Sequence, residues 1–521
     1  MNILQNTSAS EQTFTQFLLH NRQNRLILYL SATAIIIQFT VFKYLYPFAN
    51  YIHGDSFSYL DSAFNNSTIA TYPIGYSKFL RLVSVFAKPD LALVGIQYLL
   101  IQCSMLFFLY TLFYFYKAGR VVQRILLCFM VFNPLLLHMG NMVSSDGLFL
   151  ALSITWFALL LWIVYKPSNK VICWHAIVLF AAFTVRYNAL IYPFIALVAF
   201  VLSKLSLRKK VIGMGLGLLL IAWFVVLSMF QFKKLTGYWQ FSPFSGWQLA
   251  NNALYAYREV DSADRKPVPA KFRALDNRVR KFYDRNHDLD IGDASTFFMW
   301  ASWLPLMQYR DSLFQKDSSA TEFKKWASMG PFYSSYGSYI IKKYPLQFLH
   351  YFVLPNSLRY FLPPVEYLGD YNWGYTTVPK SAVNWFGYTN NRVKTRMKSS
   401  KVLILQPFQY LVGITNLILF LMFLSYLLLK GWQYGSPLNK IILLAAFVWI
   451  ANAGFNIFAA SAALRFQSFP AMLSVTFTLL LIDWMARLIQ HMKRQSQQQK
   501  TENKYAQQIQ NDTNEAATVA S

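Results

Sequence analysis

The sequence predicts an all-α polytopic membrane protein, with about ten transmembrane helices, an amphipathic interfacial helix in the first external loop and a small external mixed domain. Three observations lead there. Hydrophobic residues fill 55% of the 521 positions and aromatic residues 18%, which is too apolar for a soluble chain of this size. Many of the apolar runs approach or exceed the roughly 20 residues a helix needs to cross a hydrocarbon core. Charged residues are only 13% of the chain, yet the net charge is +26, and the basic residues gather at the ends of apolar runs. That placement suits membrane topology and anionic headgroups and argues against nucleic acid.

The first apolar run, residues 26–48, is too long for a signal-peptide core and lacks a small-residue cleavage site, so it reads as a retained span. Further spans are expected near residues 91–116, 125–143, 147–165, 171–185, 188–203, 211–232, 402–429, 441–460 and 470–489. Residues 171–203 read either as one long helix or as two short ones meeting at Arg186. Between Tyr72 and Lys88, the residues Ile74, Phe79, Leu82, Val83 and Phe86 alternate with Lys78, Arg81 and Ser84, the pattern of an interfacial helix. Residues 26–232 thus form an N-terminal membrane module, 233–401 an external domain and 402–490 a C-terminal membrane module. Residues 1–25 are a short tail, and residues 491–521 a Gln/Asn-rich tail expected to be disordered.

The short loops divide into a basic set and a nearly charge-free set, and with ten spans every basic loop falls on one side. By the positive-inside rule that side is cytoplasmic, and both termini lie there in a multi-pass plasma- or inner-membrane protein. The opposite face receives residues 53–73, Ser144-Ser145-Asp146, Arg186-Tyr187-Asn188, the long segment 233–401 and Arg465-Phe466-Gln467. Cys103, Cys128 and Cys173 show neither paired nor metal-ligand spacing, and they read as small core residues.

Chemistry is expected on that external face. A carboxylate beside a membrane span is scarce here and unfavourable to desolvate, which singles out Asp55, flanked by His53 and Tyr59. It suits a general base that takes a proton from an acceptor, or equally a helix cap. Asp146 reads first as part of a helix start, and functionally as a second carboxylate that positions the first site or binds a sugar hydroxyl or a metal. Arg186, beside Tyr187, and Arg465 sit at external span ends, where a planar guanidinium suits a lipid phosphate or merely reaches to headgroups. Lys78 is a third candidate for that phosphate. No GxSxG, HExxH or P-loop pattern occurs, which disfavours common hydrolases, zinc proteases and nucleotide-driven pumps.

The order of short motifs resembles that of the integral-membrane type-C glycosyltransferases, including protein O-mannosyltransferases and lipid A aminoarabinose transferases. The carriers are His53-Gly54-Asp55-Ser56, Tyr72-Pro73-Ile74-Gly75-Tyr76, Asn133-Pro134, Ser145-Asp146-Gly147-Leu148, Arg186-Tyr187-Asn188 and Arg465-Phe466-Gln467-Ser468-Phe469-Pro470. It covers residues 26–203 and the last two spans, and not the external domain. The resemblance implies transfer of a sugar, hexosyl or pentosyl, from a polyprenyl-phosphate carrier to a lipid, glycan or protein acceptor. It further implies Asp55 as base, inversion at the sugar, and lipid-phosphate contact by Arg186 and Arg465. The first loop has a single Asp in its Gly-Asp-Ser context where many members have an acidic pair, so a divalent metal is left open. Two other readings stand beside this one: a surface-polysaccharide polymerase or ligase, and a lipid or sugar transporter, which would place ionisable residues deep within its spans.

Overall fold

The structure, a computed structural model, describes residues 12–292, 296–317, 319–434, 437–459 and 462–519, so the expected N-terminal tail lies partly outside it. The N-terminal half contains helices α1 (Arg22–Leu45), α2 (Asp55–Phe64), α3 (Gly75–Phe86), α4 (Asp90–Phe115), α5 (Arg120–Val131) and α6 (Pro134–Gly140). It continues with α7 (Ser145–Tyr165), α8 (Asn169–Val185), α9 (Tyr192–Leu202) and α10 (Leu207–Thr236). Among the described residues, eight helical stretches are long and apolar enough to cross a membrane, and 169–185 and 187–202 are shorter apolar helices. The ambiguity at Arg186 resolves as two helices: Arg186 is extended, at φ −150° and ψ 134°, and separates α8 from a short 3-10 turn into α9. The run expected as one span over 125–143 is broken at Asn133, whose side chain caps α6 while Pro134 supplies its first turn.

The middle of the chain contributes α11 (Pro243–Arg258), α12 (Arg273–Arg285), α13 (Pro305–Leu313), α14 (Glu322–Ser328), α15 (Gly330–Lys343) and α16 (Pro345–Phe348). These surround a core of their own, with Trp247, Leu254, Tyr257, Val279, Phe298, Tyr333 and Tyr336 buried. The expectation of a mixed domain is corrected, because the described residues of 233–401 hold helices and isolated bridges and no strand. Its boundary also shifts. The segment with α17 (Leu354–Phe361) and α18 (Lys380–Phe386) packs elsewhere: Leu368 and Tyr371 join the membrane core, and Val378, Ala382 and Phe386 join a cluster with Tyr51, Tyr59 and Leu60 of the first loop. Helix α17 packs on the later helix Leu438–Ala459, and residues 366–396 form a strap laid against Arg465 and the first loop.

Three helices complete the chain: α19 (Phe408–Leu428), α20 (Leu438–Ala459) and α21 (Ser468–Val519). The tail expected to be disordered continues α21 as helix to Val519. Its Gln, Lys and Glu residues are good helix formers, and no Gly or Pro follows Pro470 to stop the propagation. Helix α3 is the expected amphipathic helix with a different inner face. Tyr76, Leu80 and Val83 turn inward, while Leu82, Val85 and Phe86 are exposed. Gly75 lets α3 approach the end of α8, since a Cβ there would lie 2.6 Å from the Thr184 carbonyl.

Candidate functional site

The candidate site is assembled where four chain segments meet. Gly54 has φ +94°, a conformation that L side chains rarely adopt, and this turn sets Asp55 at the first position of α2. Asp55 is thus no N-cap, and its carboxylate is free to face inward. The start of α2 is tied to the start of α7: Ser56 Oγ donates to the Val143 carbonyl at 2.7 Å, and the Val143 N–H donates to Asn50 at 2.9 Å. Ser144 caps α7, so Asp146 also is no cap; the Ser144 hydroxyl donates instead to Asp146 Oδ2 at 2.6 Å. The third segment is the extended Arg186 at the end of α8, and the fourth is the turn before α21 that carries Arg465.

Arg465 Nη1 lies 3.1 Å from Asp55 Oδ2 and 3.2 Å from Asp146 Oδ2, bridging residues 410 and 319 positions away in sequence. Arg186 pairs with the other oxygen of Asp146 and reaches Ser145 Oγ at 3.5 Å. Side-chain exposure is 8% for Arg465 and 2% for Asp146, so both charges are nearly removed from water and stand only because each is paired. Burial opposes the charge on Arg465, but Asp146, Asp55 and Glu366 outweigh it and raise its pKa, so it is a permanent cation. Its guanidinium sits 4.3 Å from the Phe466 ring centre and 5.0 Å from that of Tyr367, and Arg186 lies 4.5 Å from the same Phe466. One aromatic ring thereby holds two cations side by side.

Tyr72 donates to the free Asp55 oxygen at 2.7 Å. Burial first, and then the Asp55 charge, push its phenol well above the ordinary range, so it stays a donor. Tyr59, whose phenol is likewise raised by burial, shares a 2.9 Å hydrogen bond with Ser145. Within this saturated cluster, Arg465 Nε and both polar atoms of the Gln467 amide are buried without a partner. Gln467 is 2% exposed, and buried polar groups left unpaired beside a charge cluster mark where a polar ligand would be satisfied.

The expected residues do not all converge. Asp55, Tyr59, Asp146, Arg186 and Arg465 meet. His53 turns away: its ring stacks on Tyr375 at 4.2 Å and packs against Phe57, and burial lowers its pKa and keeps it neutral. Lys78 donates to Asn66 Oδ1 at 2.7 Å on the exposed side of α3, far from a phosphate-binding role at the cluster. Tyr187 packs its ring on Phe183 and Phe241 at 5.6 and 4.6 Å, serving the core beside Arg186. The sequence reading passed over Tyr72, Ser144, Glu366 and Tyr367 as site residues. The first two lie inside motifs already singled out, whereas nothing local marks the Glu366 region, which reaches Arg465 only through the strap.

A metal fits this arrangement poorly. The space between the two carboxylates is taken by the Arg465 guanidinium, and among the described residues no group of three or more His, Cys, Asp or Glu is placed to hold an ion. No protein-family model, curated protein or solved structure matches the chain.

Proposed function

We propose that this multi-pass membrane protein is a glycosyltransferase that moves a sugar from a polyprenyl-phosphate carrier to a lipid, glycan or protein acceptor, with inversion at the anomeric carbon. The observation that carries this reading is the Arg465 bridge between Asp55 and Asp146. A base held by a cation is restrained; a base whose cation can be drawn away by the substrate is switched on by binding. A lipid phosphate competes for Arg465 and Arg186, whose donor forks match its oxygens. As Arg465 turns to the phosphate, the Asp55 carboxylate is released to take the proton from the acceptor hydroxyl. The acceptor oxygen attacks the anomeric carbon, the bond from that carbon to the phosphate oxygen breaks, and the arginines hold the charge that develops on the departing polyprenyl phosphate. Asp146 keeps Arg186 in place throughout, and Tyr72 orients Asp55.

Leu419, Phe423, Val448, Trp449, Pro470 and Phe477 line a small apolar cleft between α19, α20 and α21, and α21 begins just after Arg465. In this reading all ten apolar helices cross, both termini are cytoplasmic, and residues 233–401 and the site lie on the external face. Nucleotide sugars are absent there, so a lipid carrier supplies the donor. The ionisable cluster sits at helix ends, as suits chemistry at the membrane surface more than a midplane transport site.

The test is release of polyprenyl phosphate from a panel of polyprenyl-phosphate sugars by the purified protein in lipid, with candidate acceptors present. Asp55→Asn is expected to lower turnover by roughly 100-fold or more while the protein stays folded. Equal turnover by both proteins would remove Asp55 from the mechanism and favour an arginine-based polymerase or ligase.

A further inference from the structure

The Tyr72 ring that positions Asp55 is the inner end of a series of aromatic rings leading into the helical segment 243–353. Its ring centre is 5.9 Å from that of Phe244, at the start of α11, and 6.4 Å from that of Trp300. Trp300 lies parallel to Trp326, at 6.4 Å and 5°, and Trp326 lies parallel to Trp247, at 5.8 Å and 8°. The two inner indoles are fixed: Trp247 is fully buried, its N–H donates to the Trp326 carbonyl at 2.9 Å, and Trp326 is 5% exposed. Trp300 ends the stack and is 41% exposed. The Trp326 indole N–H is buried with no acceptor.

A flat indole face backed by a second indole is suited to the apolar C–H face of a sugar ring. A lipid-facing tryptophan would project from a span toward the headgroups. Trp300 instead stacks on Trp326, itself part of the core of the 243–353 segment, and neighbours Tyr72, which hydrogen-bonds Asp55. We propose that Trp300, with Phe244 and Tyr72, forms the acceptor subsite, and that the acceptor presents a sugar ring there. This rests on the transferase reading and narrows its acceptor to a glycan or glycolipid headgroup. A hydroxyl of the ring stacked nearest Tyr72 is then delivered to Asp55.

The experiment uses the full-length protein in lipid nanodiscs. Binding of mannotriose, cellotriose, chitotriose, lactose and a Ser/Thr-rich peptide is followed by saturation-transfer NMR for wild type, Trp300→Ala and Trp300→Phe, with polyprenyl phosphate binding measured in parallel. At least one saccharide is expected to bind wild type, to weaken about tenfold or more in Trp300→Ala, and to recover to within about threefold in Trp300→Phe. Polyprenyl phosphate binding stays unchanged in both variants, which also reports that they are folded. Saccharide binding that ignores Trp300, binding of the peptide alone, or binding of no saccharide would each overturn the proposal. Trp300-dependent saccharide binding without any affinity for polyprenyl phosphate would keep the saccharide site and remove the transferase.

Discussion

Two buried carboxylate clusters flank the first loop, and they are built on opposite principles. Asp90, at the start of α4, is 7% exposed and accepts the Ala49 N–H at 2.6 Å and the Tyr388 hydroxyl at 2.8 Å. Tyr388 is shared with Tyr51 at 2.8 Å, so this cluster fastens the strap to the loop with neutral donors. The Asp55 and Asp146 cluster is held by two arginines, and it keeps an unpaired Arg465 Nε and an unpaired Gln467 amide. Neutral donors that satisfy a carboxylate make a fastening. Cations that are paired yet keep spare donors leave bonds that a polar ligand can complete.

The comparison can be broken by substitution. Arg465→Gln has the largest expected effect on the charged cluster: it leaves Asp55, 23% exposed, with Tyr72 alone and takes one of two cations from the buried Asp146, which costs about 3 kcal/mol of stability. Adding Asp55→Asn should return part of that loss, and adding Asp90→Asn should return none; thermal melts of the single and double variants in lipid check this. Recovery by Asp90→Asn would mean that the two clusters are not separate.

A smaller effect is expected at the fastening. Tyr388→Phe removes one donor from Asp90 and costs about 1–3 kcal/mol of stability. Turnover per folded molecule should be unchanged, since Tyr388 touches neither arginine, and parallel melts and rate measurements would reveal otherwise.

The smallest effect is a change of slope with pH. Burial raises the Glu366 pKa above its ordinary 4.5, against the pull of Arg465 and Arg359. A carboxylate with a raised folded pKa contributes stability below its unfolded pKa, and that contribution is lost as pH rises through the folded value. Relative to wild type, Glu366→Gln should therefore gain in melting temperature as pH rises from about 4.5 towards neutral. A difference independent of pH would mean that Glu366 is not held in this way.

Legibility from sequence followed the range of the interactions. Apolar run length needs only local information, and the described residues of the expected spans fall mainly on helices, with 125–143 broken at Asn133. The Asp55, Asp146, Arg186 and Arg465 residues were visible as charges at span ends, because a charge in so apolar a chain is conspicuous. Their meeting depends on contacts across 410 residues, and no periodicity carries that. Helix starts were legible at both aspartates: Ser144 caps α7 with Asp146 in its first turn, and Asp55 opens α2. Gly54 and Ser144 take the cap positions, which frees both aspartates. The strap was invisible for a related reason. Its Pro/Tyr-rich composition resembles a loop of the external domain, and only packing shows that Tyr367, Tyr371 and Tyr388 belong to the first loop and to Arg465. The helical tail was misread because a polar composition was weighed above a continuous run of helix formers.

In the proposed reaction the arginine cluster, and not the Asp90 fastening, receives a lipid phosphate. The most direct measurement is the affinity of polyprenyl phosphate for wild type, Arg465→Gln and Asp90→Asn in nanodiscs. Binding is expected to be at least about tenfold weaker in Arg465→Gln and to change within about twofold in Asp90→Asn. Equal affinity for all three proteins would remove the arginine cluster as the phosphate site.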